Sequence, residues 1–186
     1  MVSVSEVITK GAKYVEVVQD NYPDSPREWE NLGTMLCFTR KYNLGDSTDF
    51  NKNDFSSWDE VKEAIIENGG KYIAPLYLYD HGGISISIGS FIGKAPHAEW
   101  DSGQIGFIYT TEKDIASTGI SIDDIESALS NEVEIYDKYL RGETYGYKIM
   151  EQNTCPTCHN IEREEIEACY GYYSEEAARE AGEAEL

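Results

Sequence analysis

The stretch YLYDHGGISISIGSFIGKAPHAEWDSGQIGFIYTT holds Asp80, His81, Asp101 and Ser102. These are the residue types with which an imidazole, oriented by a carboxylate, activates a serine for attack on a carbonyl. The local context argues against that chemistry. A nucleophilic serine sits on a strained strand-to-helix elbow, typically Gly-x-Ser-x-Gly, whereas Ser102 in WDSGQIGF leads from a loop into a strand. His81 lies in an Asp-His-Gly-Gly run, which is ordinary turn chemistry. We therefore read DHGG and WDSGQ as structural turns and expect no enzymatic activity. In that reading Trp100 anchors its loop in the core, and Asp101 and Ser102 bond to nearby backbone amides.

The second chemically suggestive segment is TCPTCHNIEREEIEAC. Cys155 and Cys158 have the spacing that lets two thiolates reach one tetrahedral zinc from a tight turn. A full site needs two more ligands. His159 follows Cys158 too closely to share the ion comfortably, while Cys169 and His97 could complete it through space. Zinc held by Cys155, Cys158 and Cys169 is one reading of residues 153–169; free thiols on a hairpin or loop is the other. Thioredoxin-like redox chemistry is disfavoured, because no strand-to-helix transition follows the motif. No further cofactor is expected.

The elements that must position these residues are legible from their patterning. AKYVEVVQ is β-branched and aromatic and runs into DNYPDSPRE, whose prolines mark a loop. TMLCFTRKY reads as a second strand ending near Tyr42. In SSWDEVKEAIIENGG, Ser57 and Glu60 have capping-box spacing, Val61, Ala64 and Ile65 line one helix face, and Gly69-Gly70 ends the helix. KYIAPLYLYD and ISISIGSFI flank the His81-Gly82-Gly83 turn as a hairpin, with isoleucines and serines alternating between its faces. GQIGFIYTT is a further strand. From Ser121 the apolar positions Ile122, Ile125, Leu129, Val133, Tyr136 and Leu140 recur at helical spacing and stop at Gly142, predicting a helix of about five turns. TYGYKIM is one more strand, and residues 174–186 form a short acidic helix or tail. The expected fold is α+β, a single domain over residues 1–186 built on a mainly antiparallel sheet with two main helices.

The charge is the most unusual global feature: 35 Asp and Glu stand against 15 Lys and Arg in 186 residues, a net charge of -20. Such a surface repels nucleic acid and anionic membranes and attracts basic proteins. With 40% hydrophobic and 12% aromatic residues, the acidity belongs to a folded protein rather than to a disordered tail. Glu6, Lys10 and Lys13 interrupt SVSEVITKGAKYVEVV before an apolar targeting segment forms, which points to the cytoplasm. Reduced thiols are the default in that compartment.

Two acidic helix faces are the candidate partner surfaces: Asp59, Glu60 and Glu63 on the first helix, and Asp123, Asp124, Glu134 and Asp137 on the second. A solvated face is the bland alternative for such a stripe. A sponge for a nucleotide immune signal would instead need a basic and aromatic pocket, for which Arg27, Trp29, Arg40 and Lys41 are the concentrated candidates.

The blocks SPREWENLGTMLCFTRKYNLGD, APLYLYDHGGISIS, WDSGQIGFIYTTEKD, EIYDKYLRGETYGYKI and CYGYY together resemble a widespread family of phage and prophage proteins, most of them uncharacterised. The resemblance covers residues from about 20 to 175. It departs from the family at the usual acidic-aromatic ending, close to Asp-Ser-Cys-Trp-Gly-Phe-Tyr-Gly, which here reads EACYGYY, and in its Cys-x2-Cys hairpin, which is not a fixed family feature. The resemblance implies an anti-defence role, that of the type II-A anti-CRISPR proteins that inhibit Cas9 in the host bacterium. The expected partner is Cas9 with its guide RNA. Cas9 holds nucleic acid in positively charged channels, so an acidic folded protein could compete by placing carboxylates where phosphates lie.

Overall fold

A computed structural model of the chain describes residues 9–10, 13–155 and 157–186. The reading of the opening segment as free of a targeting signal rests partly on Glu6, outside the described residues. The elements in chain order are β1 (Thr9–Lys10), β2 (Lys13–Gln19), β3 (Thr34–Cys37), α1 (Trp58–Glu67), β4 (Gly70–Asp80), β5 (Ile84–Ser87), α2 (Ala98–Asp101), β6 (Ser102–Thr111), α3 (Glu112–Thr118), α4 (Ile125–Leu140), β7 (Tyr145–Thr154), β8 (Ile161–Tyr172) and α5 (Glu175–Ala184). The strands form two antiparallel sheets, so the expected α+β antiparallel architecture is the one observed. Among the described residues no helix is long and apolar enough to cross a membrane.

Within this α+β architecture the chain divides into two compact units, residues 25–141 and the pair of segments 1–24 and 142–186.

The unit of residues 25–141 is built on the sheet β3-β6-β4-β5. Both faces are covered, and strand alternation sends consecutive side chains to opposite sides. Met35, Leu76, Ile86 and Ile108 pack with Ile125, Leu129, Val133 and Tyr136 of α4. Their neighbours Leu36 and Phe107 pack with Val61 and Ile65 of α1, under a rim of Phe38, Phe50, Phe55 and Trp58. The α1 cap is as the sequence predicts at Ser57, whose Oγ accepts from Glu60 N at 3.3 Å. The Glu60 carboxylate, however, reaches back to Ser56 N at 2.7 Å rather than to the cap residue. β3 stops at Cys37, short of Tyr42, because Arg40 and Lys41 give the strand's continuation nothing to bury. The predicted second helix is α4 entered through a 3-10 turn at Ile122–Asp124.

The second unit carries the sheet β1-β2-β7-β8 with α5 on one face. Val15, Tyr147 and Ile149 form its core against Ala181 and Leu186. Gly182 lets the helix approach closely: a Cβ there would lie 2.6 Å from Val15 Cγ1. Of the two readings of residues 153–169, hairpin or loop, the structure shows the hairpin: β8 pairs along its length with β7. Residues 161–167 are nevertheless exposed on both faces, so this part of the ladder is held by backbone hydrogen bonds and cross-strand pairs such as Lys148–Glu165 at 2.6 Å.

Candidate functional site

The residues of the suspected triad are close in the fold, but not joined as a triad. β4 ends at Asp80, and its carboxylate accepts from Lys41 Nζ at 2.7 Å and Tyr42 Oη at 2.9 Å. Lys41 is the first cause holding Asp80 below its ordinary carboxylate value. His81 instead pairs with Asp101, Nδ1 to Oδ2, at 2.7 Å. Its ring stacks near Tyr79 at 5.9 Å and lies 5.5 Å from the ring of His97. His97 adopts a left-handed φ of 56° as it enters α2. The hydroxyl that would act as nucleophile is turned elsewhere: Ser102 Oγ donates to the Ala98 carbonyl at 2.6 Å, closing α2. The arrangement thus provides a carboxylate-oriented imidazole without a serine bonded to it.

Two details of the turn reading need correction. Trp100 is 87% exposed and anchors nothing in the core. Asp101 bonds the His81 ring and Ser102 a carbonyl, rather than backbone amides. The cause is shared: residues 98–101 form a turn of helix, which rotates Trp100 outward and buries Ala98 in its place.

The acidic stripe of α4 also separates into parts with different partners. Asp137 Oδ1 accepts from Ser85 Oγ at 2.6 Å and from Ile86 N at 2.8 Å, while Oδ2 meets Arg141 at 3.0 Å. It therefore covers the open edge of β5, a role that protects an edge strand from unwanted pairing. Glu134 forms a surface pair with Lys138 at 3.0 Å. Asp123 and Asp124 are exposed, as are Asp59, Glu60 and Glu63 on α1. Of the seven candidate partner residues, Asp137 is thus engaged in holding the fold.

The strongest electrostatic cluster, and one the sequence reading missed, centres on Arg27. Its Nε and Nη2 donate to the two oxygens of Asp46 at 2.9 and 2.6 Å, Nη1 to Glu132 at 3.0 Å, and Nη2 also to the Gly33 carbonyl at 2.6 Å. The carboxylates have further duties: Glu132 accepts from Leu32 N at 2.7 Å and Asp46 from Met35 N at 2.8 Å. Arg27 is thus already satisfied, which removes the main cation of the proposed nucleotide pocket from competition for phosphate. Lys41 is paired with Asp80 and lies over the Tyr42 ring at 4.8 Å, while Arg40 and Trp29 are exposed.

The cysteines do not converge. Cys155 and Cys158 sit at the tip of the β7–β8 hairpin, where Cys155 N donates to Asn160 O at 2.8 Å and His159 N to Cys155 O at 2.9 Å. Cys169 pairs with Tyr147 near the other end of the ladder, roughly 20 Å or more away at about 3.3 Å of rise per residue. It cannot share an ion with the tip thiols in this geometry. His97 belongs to the other unit, beside His81. Among the described residues no group of three or more His, Cys, Asp or Glu side chains could hold a metal ion. The tip is left with the two thiols of its Cys-x2-Cys motif.

The thiols differ in reactivity for a physical reason. Burial is the first cause that pushes the Cys37 thiol up to about 12. Hydrogen bonds from the Cys158 and Thr157 backbone draw Cys155 below its ordinary value. Since the thiolate is the nucleophile, iodoacetamide at mildly alkaline pH is expected to alkylate Cys155 well before Cys37, which should stay unmodified until the protein unfolds. Peptide mass spectrometry over a time course checks this, and early modification of Cys37 would contradict it.

Compared with known proteins, the chain matches no family model, no curated protein and no solved structure.

Proposed function

We propose that the chain is a phage-encoded anti-defence protein that binds Cas9 loaded with guide RNA through acidic surfaces and blocks DNA targeting or cleavage. The observation that carries the reading is the charge: 35 acidic against 15 basic residues. Several of those few cations are held by carboxylates, among them Arg27, Lys41, Lys71, Lys138 and Lys148. The remaining carboxylates give the surface its sign. The exposed ones include Asp59, Glu60 and Glu63 on α1, Asp123 and Asp124 before α4, and Glu162, Glu164 and Glu167 on β8. The same charge disfavours direct nucleic-acid binding. The choice of Cas9 rests on the sequence blocks that resemble the phage family.

Charge of this kind acts mainly on encounter, and it is screened over a Debye length of about 8 Å at physiological salt. The protein is therefore expected to be captured by Cas9 with guide RNA, to be displaced by competing DNA, and to associate more slowly as salt rises. Lysine substitutions in pairs, Asp59→Lys with Glu63→Lys or Asp123→Lys with Glu134→Lys, should weaken inhibition on whichever face engages the target. Inhibition that persists unchanged in high salt and in charge-reversed variants of every acidic face would rule out electrostatic mimicry. Failure to form a complex with any Cas9 would remove the assignment of the target.

A further inference from the structure

A cavity of about 630 Å³ opens in the unit of residues 25–141, lined by Ser25, Arg27 and Glu28 at the first 3-10 turn, the loop 42–47, Ile84 of β5 and the last turns of α4. Its walls include Tyr42, Tyr136 and Tyr139. The rings of Tyr136 and Tyr139 lie 6.1 Å apart with planes inclined by 12°. The Tyr136 hydroxyl accepts from Gly45 N at 3.1 Å, which fixes that ring. Glu28, which is exposed, and Asp46, whose carboxylate is held by Arg27 and the Met35 amide, also line the cavity. Its lining cation, Arg27, is engaged by Asp46, Glu132 and the Gly33 carbonyl. Asp46 and Glu132 around one guanidinium, together with Glu28 in the cavity wall, make the formal charge of this region negative. A phosphate or carboxylate entering this space would meet repulsion without a free donor cation. A positive group would instead meet the half-buried ring of Tyr139 and the acidic, exposed Glu28.

We propose that this cavity binds a guanidinium group, stacked on Tyr139 and charge-compensated by Glu28. A guanidinium suits the site better than an ammonium because it is planar, weakly hydrated and able to stack while donating in its plane. The volume admits the head group together with its alkyl stem. This inference does not rest on the proposed binding of Cas9. The same head group could come from a free small molecule or from an arginine displayed on another protein, and the two sources can be told apart.

Isothermal titration of the full chain at physiological salt with agmatine, with acetyl-Gly-Arg-Gly-amide and with n-butylurea, a neutral planar analogue, is the test. The guanidinium compounds should bind about tenfold tighter than n-butylurea, as expected for a charge facing tyrosine rings and a carboxylate. Tyr139→Leu, which keeps apolar bulk, and Glu28→Gln should each weaken binding by about three- to tenfold. Glu63→Gln on α1 controls for nonspecific attraction to an acidic protein and should leave guanidinium binding unchanged. Tighter binding of agmatine than of the peptide would identify a free small molecule; the reverse order would identify a displayed arginine. The proposal is overturned if neither compound binds, if n-butylurea binds as well as agmatine, or if Glu63→Gln weakens binding as much as the two cavity variants do. Thermal melts confirm that each variant is folded before titration.

Discussion

Arg27→Ala is expected to destabilise the unit of residues 25–141 by about 3–5 kcal/mol, the range for removing one partner from a buried ion pair. The substitution deletes four hydrogen bonds from one side chain. More costly is what it leaves: Asp46 and Glu132, with side chains only 21% and 14% exposed, would face each other without the cation between them. Neither carboxylate can simply swing out to water, since Glu132 holds the amides of Leu32 and Gly33 and Asp46 holds that of Met35. Those amides fix the entry to β3, so the damage spreads from the charge cluster into the core. Arg27→Lys should recover only part of the loss, because a lysine is a point donor and cannot span the fork between two carboxylates. Thermal denaturation should show a drop of roughly 10 °C for the alanine variant. A melt within a degree or two of the parent protein would mean that the cluster is solvated and contributes as little as a surface pair.

The fate of Arg27 also shows what a single sequence can and cannot convey here. Elements with a periodic apolar face were readable: α1 through Val61 and Ile65, α4 through Ile125, Leu129, Val133 and Tyr136, and β5 through its Ile-Ser alternation. Their burial is a local pattern with a fixed repeat. β8 escaped because Glu162, Glu164, Glu165 and Glu167 interrupt any apolar alternation and its pairing comes from β7. α3 was also missed, although Thr111 and Asp114 form a reciprocal capping box. Nothing local in SPREWE announces that Arg27 will meet Glu132, a residue 105 positions away. Asp137 looked like one more member of a solvated stripe, yet it lies where an edge strand needs an acceptor. The candidate site suffered in the same way. Residue types suggested a triad, and the fold did bring His81 to Asp101, but the direction of the Ser102 hydroxyl was decided by a carbonyl one helical turn back.

Gly106→Ala is expected to be among the most damaging single-methyl additions in the protein. Gly106 lies on β6 between two partners, opposite Cys37 of β3 and Leu76 of β4. A Cβ built there would fall 1.7 Å from the Leu36 carbonyl oxygen and 2.8 Å from its carbon. Both atoms are backbone, so no rotamer change relieves the contact, and β3 must shift or detach. β3 cannot yield cheaply, because Met35 packs toward α4 while Leu36 packs toward α1. Its movement would disturb both faces of the sheet, and the Met35 amide would lose Asp46. Overpacking commonly costs about 1–3 kcal/mol where side chains can adjust; with only backbone to move, a loss at or above about 3 kcal/mol is expected. Gly103→Ala on the same strand is the matched control. Nothing lies within 4 Å of its added methyl, so it should melt near the parent protein. Amide hydrogen exchange adds a readout specific to the mechanism: protection along Thr34–Cys37 should collapse in Gly106→Ala before that of α5 in the other unit. Equal melting of the two alanine variants would show that β3 and β6 are not as closely apposed as this packing requires.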